Sequence, residues 1–433
     1  MDRSVFMLHP AGGPTLVPPV KFSSPQISLN TFGELELADG SRQSLPIQRG
    51  EPDLAQMLES VPGAREMDVF VHWCMPGLTP RNVAAFPGRK VLILGDTQHG
   101  SGLSAMLDYA VRERFDAIFA EKRQHAHWFA EAGAGPVHWL PGIVADPQAL
   151  PFSDERRREI VVVGHVNKSH ARRRRYLDEL NRRGYPLRHV MCQPHEAAAI
   201  YNGSLICLNI SMNGDANLRF FEVPAAGGFL LTDRLSGLAG VGAFYREDEH
   251  YGAFGDLDEL CAKLDRYLAN PHDAFMIAQQ GQHHYAAHLT RSATVARFWR
   301  GVEGGEQEPS FSLAHEPRLR RPRSSLSAVT PHLDAYIALQ EINRTVEAPK
   351  VLLLPGVSGR VAADAADLHR LALFTFQTDA FSVAEANAMG LTGHLRTVDS
   401  DAARAMSWAA VVGKAGGAHD AQAFNAETKI LVG

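Results

Sequence analysis

From residue 65 onward, short apolar runs alternate with stretches in which apolar residues recur every three or four positions. Residues 69–72 and 90–94 (KVLIL, closed by Gly95) read as strands. Leu103, Met106, Leu107 and Ala110 share one face of a helix over 103–114. A strand at 116–119, a helix at 122–132 and a strand at 137–140 continue the alternation. Strands and helices in this order build a parallel sheet covered on both faces. The polar stretch 153–158 (SDERRR) interrupts the pattern, which then restarts with a strand at 160–163 closed by Gly164. A helix at 171–183, strand 187–191, helix 196–201, strand 205–210, helix 217–227 and strand 229–232 follow. Leu257, Leu260, Leu264 and Leu268 stripe a helix over 256–269, and Asn270-Pro271 supplies the cap and first-turn proline of the next. Two consecutive α/β units of this kind leave a crevice between them, the usual seat of a ligand.

The two ends of the chain read differently. Alternation over 28–37, then Asp39-Gly40 and another short run, predicts a β-hairpin. Residues 301–330 are rich in Gly, Glu, Pro, Ser and Arg, which predicts a flexible linker kept solvated by the arginines of 318–323. The Ala-rich remainder predicts helices at 332–344, 363–375, 380–390, 400–414 and 419–431. The expected organisation is therefore two Rossmann-like α/β domains, 1–150 and 151–300, a linker at 301–330, and a helical appendage at 331–433.

Composition removes some function classes. The 433 residues carry a formal net charge of −5, which argues against a binder driven by nucleic-acid phosphates. No run of about 18 apolar residues is present to span a membrane, and the first residues lack the pattern of a signal peptide. Cys74, Cys192, Cys207 and Cys261 are scattered without a Cys-x-x-Cys pair. They read as thiols of a reducing compartment, so a cytoplasmic location is expected and a structural zinc site is not.

The chemically informative stretch is 209–234, NISMNGDANLRFFEVPAAGGFLLTDR. Arg219 and Glu222 are one helical turn apart and share a face. Pro224 removes a backbone hydrogen bond, so the helix is short or bent. Ala225, Ala226, Gly227 and Gly228 permit close approach of sheet or ligand. The bland alternative is a surface Arg–Glu pair. In the first unit, the loop 95–100 (GDTQHG) follows the strongest strand, which places Asp96 or His99 at the crevice as a general base. Loop capping is the structural alternative, and His9 is a weaker candidate. The basic run 172–175 reads as a solvated helix face, with one arginine available to steer an anion. His284 and His288 have the spacing of a metal pair, but no glutamate follows His284, so no metal is expected.

The run LRFFEVPAAGGFLLTD resembles the donor-site segment of the CgeB-like glycosyltransferases, a group within the GT-B superfamily. The flanking IVVVGHVNKSHARRRRYLDEL and IYNGSLICLNI agree with that family, as does the closing stretch from DELCAKL to TVARFW. The resemblance spans 159–300 and, more loosely, 65–150. It implies a GT-B fold and transfer of a sugar from a nucleoside-diphosphate donor to a hydroxyl of a glycan, lipid or protein acceptor. Glu222 then accepts hydrogen bonds from the donor ribose, and Arg219 faces the diphosphate. Gly227 and Gly228 lie against phosphate, and Asn217 belongs to the same donor set. Gly164 keeps the cleft open, His165 and Lys168 line it, and the loop 192–195 holds the base. Arginines and helix amino ends neutralise the phosphates, so no metal or other cofactor is implied. Many retaining members carry an acidic residue eight positions before the glutamate; here that position is Gly214, next to Asp215. A GT-B-type epimerase and a catalytically silent nucleotide-binding scaffold are the alternatives.

Overall fold

Three sheets organise the described residues. The structure, a computed structural model, describes residues 3–10, 20–22, 24–47, 50–74, 78–167, 170–368, 370–377, 379, 383–384, 387, 395–414 and 424–432. The first sheet contains β1 (Val5–His9), β2 (Gln26–Asn30), β3 (Glu34–Glu36), β4 (Arg42–Ser44), β5 (Val69–Cys74), β6 (Arg89–Leu94), β7 (Ala117–Ala120) and β8 (Val137–Trp139). Their order is β4-β3-β2-β1-β5-β6-β7-β8. All pairings are parallel except β2–β3 and β3–β4. The predicted hairpin is the β3–β4 turn, where Gly40 donates to the Leu37 carbonyl and Asp39 accepts from the Ser41 amide. Strands such as β1 and β5 are buried throughout, as expected of continuous apolar runs covered on both faces. Helices α1 (Leu54–Ser60), α2 (Ser101–Glu113) and α3 (Ala126–Glu131) accompany this sheet.

The second sheet is fully parallel, in the order β10-β9-β11-β12-β13. It is built from β9 (Arg157–Val163), β10 (Leu187–Val190), β11 (Ser204–Asn209), β12 (Leu230–Asp233) and β13 (Gly252–Phe254). Its helices are α4 (Ala171–Arg182), α5 (Pro194–Asn202), α6 (Arg219–Ala225), α7 (Leu257–Ala269) and α8 (Pro271–His288). The next helix, α9 (Arg291–Val302), packs on the first sheet rather than the second. Val295, Phe298 and Val302 form its apolar stripe, and the Phe298 ring lies 4.8 Å from both Phe22 and Phe119. The chain thus crosses back before residue 300.

The expected linker and helical appendage are both corrected. Residues 309–311 and 317–320 form single tight turns, and Phe311, Glu316 and Arg318 are buried. Arg318 is paired with Glu316 at 2.7 Å and Asp367 at 3.5 Å, so this arginine of the run is held by buried carboxylates rather than solvated. Beyond α10 (Leu326–Thr345) lies a third parallel sheet, β16-β15-β14-β17-β18. It comprises β14 (Lys350–Leu353), β15 (Ala372–Phe376), β16 (Leu395–Val398), β17 (Trp408–Lys414) and β18 (Ala426–Val432), with α11 (Ser358–Asp364) and α12 (Ser400–Ala405). Among the described residues, 332–344 is the one expected segment that falls within a long helix. The expected helix 400–414 divides into α12 and β17, and 419–431 ends in β18; most of 380–390 lies outside the described residues. Alanine favours helix locally, but Val351 to Leu353 and Ala410 to Val412 are buried as central strands, and tertiary burial overrides propensity. Leu333, Tyr336 and Leu339 of α10 share one apolar core with Leu103, Leu107 and Trp128 of the first unit and Val351 and Leu353 of the third.

Candidate functional site

The first two sheets point the carboxyl ends of their strands at a common cleft of about 400 Å³. The loop after β6 brings Asp96, Gln98 and His99, and the end of β7 brings Glu121 and Lys122. From the second sheet come Gly164, His165 and Asn167 after β9, Cys192 after β10, and Asp215 and Asn217 after β11. Helix α6 contributes Arg219 and Glu222.

Helix α6 is seven residues long, as Pro224 within it requires. Asn217 fixes its start: its Oδ1 accepts from the Arg219 amide at 3.1 Å, and its Nδ2 donates to Asn209 Oδ1 at 3.0 Å. Phe220, Phe221 and Val223 are buried, which turns Arg219 and Glu222 toward the cleft. The two side chains keep 26% and 16% of their surface, with 3.9 Å between Arg219 Nε and Glu222 Oε2. At that separation the pair leaves donors and acceptors for a ligand. Burial raises the Glu222 carboxyl above its ordinary range, and Arg219 pulls it back. Arg219 Nη2 also donates to the Val163 carbonyl at 2.9 Å.

A second arginine stands beside it. Arg173 donates to the Ile210 carbonyl (2.7 Å) and the His165 carbonyl (2.7 Å), and it lines the same cavity. Burial lowers its guanidinium to about 10, and repulsion from Arg219 adds to this. An anion between the two arginines relieves both costs. The basic run is therefore not a solvated face. Arg172 is buried on Asp233 at 2.6 Å, Arg173 enters the cleft, and Arg175 donates to the Thr345 carbonyl at the end of α10.

The loop 211–216 ties the two domains together. Ser211 is held by Asp233, and Asn213 Nδ2 donates to the Gln98 carbonyl at 3.0 Å. Lys122 Nζ donates to the Ala216 carbonyl at 3.0 Å and lies 3.8 Å from Asp215 Oδ2, with both charged groups buried. Gly214 gives its carbonyl to Gln124 across the cleft at 3.4 Å.

The structure thus gathers Asp96, His99, Gly164, His165, Asn217, Arg219 and Glu222 into one cavity. Lys168 lies outside the described residues. Gly227 and Gly228 do not reach the cavity. Their faces are turned to Gln282 and to Val223 and Cys207, because both follow the far end of α6. They are packing glycines, not phosphate contacts. His9 also stays away from the cleft, with Nδ1 2.8 Å from the Pro10 carbonyl and burial holding its imidazole down to about 4. His284 stacks on His250 (4.2 Å) and meets His288 at a tilt (4.8 Å). Among the described residues no group of three or more His, Cys, Asp or Glu side chains is arranged to hold a metal.

Sequence reasoning missed Glu121 and Lys122, and it did not single out Arg173 within the basic run. Burial raises the Glu121 carboxyl to about 7, with Asp96 and Asp215 adding to the rise and Lys122 opposing it. A Glu-Lys pair closing an apolar strand was a signal that could have been read, since it puts both charges at a sheet's carboxyl edge.

Two parallel α/β domains that meet across a cleft at the carboxyl ends of their strands have the GT-B arrangement. Residues 152–299, the segment holding Arg173, Arg219 and Glu222, match a family of glycosyl transferase-like proteins. No curated protein matches the chain. Among solved structures, it is similar to Anabaena HepE in complex with UDP and glucose (11% identity, 70% of this chain and 99% of that one, TM-score 0.45). Sucrose-phosphate synthase from Thermosynechococcus elongatus is 13% identical over 70% of this chain and 98% of its own, with a TM-score of 0.46. A glycosyltransferase from Rickettsia africae is 9% identical with the same coverage and TM-score. No helix among the described residues is long and apolar enough to cross a membrane.

Proposed function

We propose that this chain is a glycosyltransferase that moves a hexose from a nucleoside-diphosphate donor to an acceptor hydroxyl of a glycan, lipid or protein, without a metal. The observation that carries the reading is the grouping of Glu222, Arg219 and Arg173 in one cleft of the glycosyl transferase-like segment. Glu222 accepts from the ribose hydroxyls, and the two guanidiniums take the diphosphate in place of a cation. The CgeB-like group is the subtype its donor segment resembles. In the transfer, the bond from the anomeric carbon to the diphosphate oxygen breaks and a bond to the acceptor oxygen forms. The nucleoside diphosphate leaves, and the acceptor proton passes to His99 or Asp96. Its four cysteines as thiols suit a cytoplasmic setting.

The test is thermal stabilisation by a panel of nucleoside diphosphates. A ligand at a hundred times its Kd adds about 2.7 kcal/mol to the unfolding free energy. At least one diphosphate should stabilise the protein, and Glu222→Ala should abolish the shift. An equal shift in the variant would remove the donor assignment.

A further inference from the structure

A second cavity of about 410 Å³ opens beside the donor cleft and shares Gln98, His99 and Met212 with it. Its far wall is α10, which presents Asp334, Ala338, Gln340, Glu341 and Arg344. This wall is held in place. Tyr336 lies 2.9 Å from His125 of the first domain and donates to Asp367 at 2.7 Å, while Gln340 Nε2 reaches the Tyr336 hydroxyl at 3.2 Å.

Three amide side chains lining the second cavity are almost fully enclosed: Gln98 at 8% exposure, Asn213 at 4% and Gln340 at 1%. In each, the side-chain oxygen is buried with no hydrogen-bond partner among the described residues. The unmet oxygens lie just beneath the cavity wall, so the lining is polar and rich in acceptors rather than apolar. Asp334 and Glu341 add carboxylates, and Arg344 is paired with Glu341, which leaves the wall one negative charge in excess. That charge repels anionic occupants. Hydroxyl groups fit the acceptors, and the volume lies within the range of small-molecule sites.

We infer that this second cavity is the acceptor site, that α10 forms its wall, and that it takes a neutral, hydroxyl-rich saccharide. The inference rests on the glycosyltransferase reading. His99, common to both cavities, stands at the junction where the acceptor hydroxyl meets the donor. The segment beyond residue 325 therefore completes the active site.

The test uses the full chain, fluorescently labelled, on a printed array of neutral and anionic glycans, with the nucleoside diphosphate that stabilises it present. Wild-type protein should be retained on neutral glycans. Ala338→Trp, which fills the cavity, and Glu341→Ala, an exposed position that leaves the core intact, should each lower retention at least tenfold. Nucleotide stabilisation should be unchanged in both. Protein that is stabilised by nucleotide yet holds no neutral glycan, holds only anionic glycans, or is retained equally in both variants overturns the inference. Absence of nucleotide stabilisation in the wild type instead overturns the donor reading, so the two failures are separate.

Discussion

Gly164 and Arg219 pack so closely that a Cβ on residue 164 would lie 2.4 Å from Arg219 Nη2. Gly164 also has a φ of +116°, a backbone conformation that side-chain-bearing residues rarely adopt. The missing side chain at the end of β9 is what lets the guanidinium bond to the Val163 carbonyl and remain beside Glu222. Gly164→Ala should displace Arg219 and weaken nucleoside-diphosphate binding by about tenfold or more, roughly 1.4 kcal/mol. Calorimetric titration of the best-stabilising diphosphate reads this directly. Unchanged affinity would show that Arg219 does not need its present position.

Tyr336 supplies a second expectation. Its hydroxyl joins His125 to Asp367 across 211 and 31 positions of sequence, and burial raises the Asp367 carboxyl to about 6 despite Arg318. Tyr336→Phe should cost about 1–3 kcal/mol, since it leaves buried polar partners unmet. Denaturant titration measures the loss. A cost near zero would mean that water replaces the hydroxyl.

The alternation of short apolar runs with helical stretches makes the first two α/β units legible in the sequence, because fully buried parallel strands are continuous apolar runs. Arg219 and Glu222 were legible from their spacing and from the segment around them. Arg173 was not: within four consecutive arginines nothing local separates the one that enters a cleft from those beside it. Gly227 and Gly228 were misread because small residues permit close approach to a helix, a sheet or a phosphate alike. The third sheet was hidden by its alanines. Ala362, Ala363, Ala365 and Ala366 are buried under it, where small size serves packing rather than helix length.

The shared core carries a third prediction. Truncation after residue 330 removes Leu333, Tyr336 and Leu339 from the cluster that holds Leu103, Leu107 and Trp128. Each large apolar side chain lost from a core costs about 2–5 kcal/mol, and several together exceed the stability of an ordinary domain. The truncated chain should be insoluble or lack a cooperative thermal transition. A soluble fragment with wild-type nucleotide binding would show that the first domain closes its core without α10.

Glu121 gives the final prediction, and its sign is fixed by linkage. Desolvation raises the folded-state carboxyl from the ordinary 4.5 to about 7. The folded protein therefore holds this proton more tightly than the unfolded chain, and stability falls as pH rises from 4.5 through about 7, then levels off. Glu121→Gln removes the titration. The unfolding free energy of the variant minus that of the wild type should rise by on the order of 3 kcal/mol across that window and stay flat above it. Denaturant melts at half-unit pH steps give the curve, and a difference that does not change with pH would mean the folded carboxyl titrates as a solvated one. The same shift bears on chemistry: near neutral pH a carboxyl poised at about 7 beside Asp96 and Lys122 is half protonated. It can then exchange a proton with a group in the cleft that a fully ionised glutamate could only accept from.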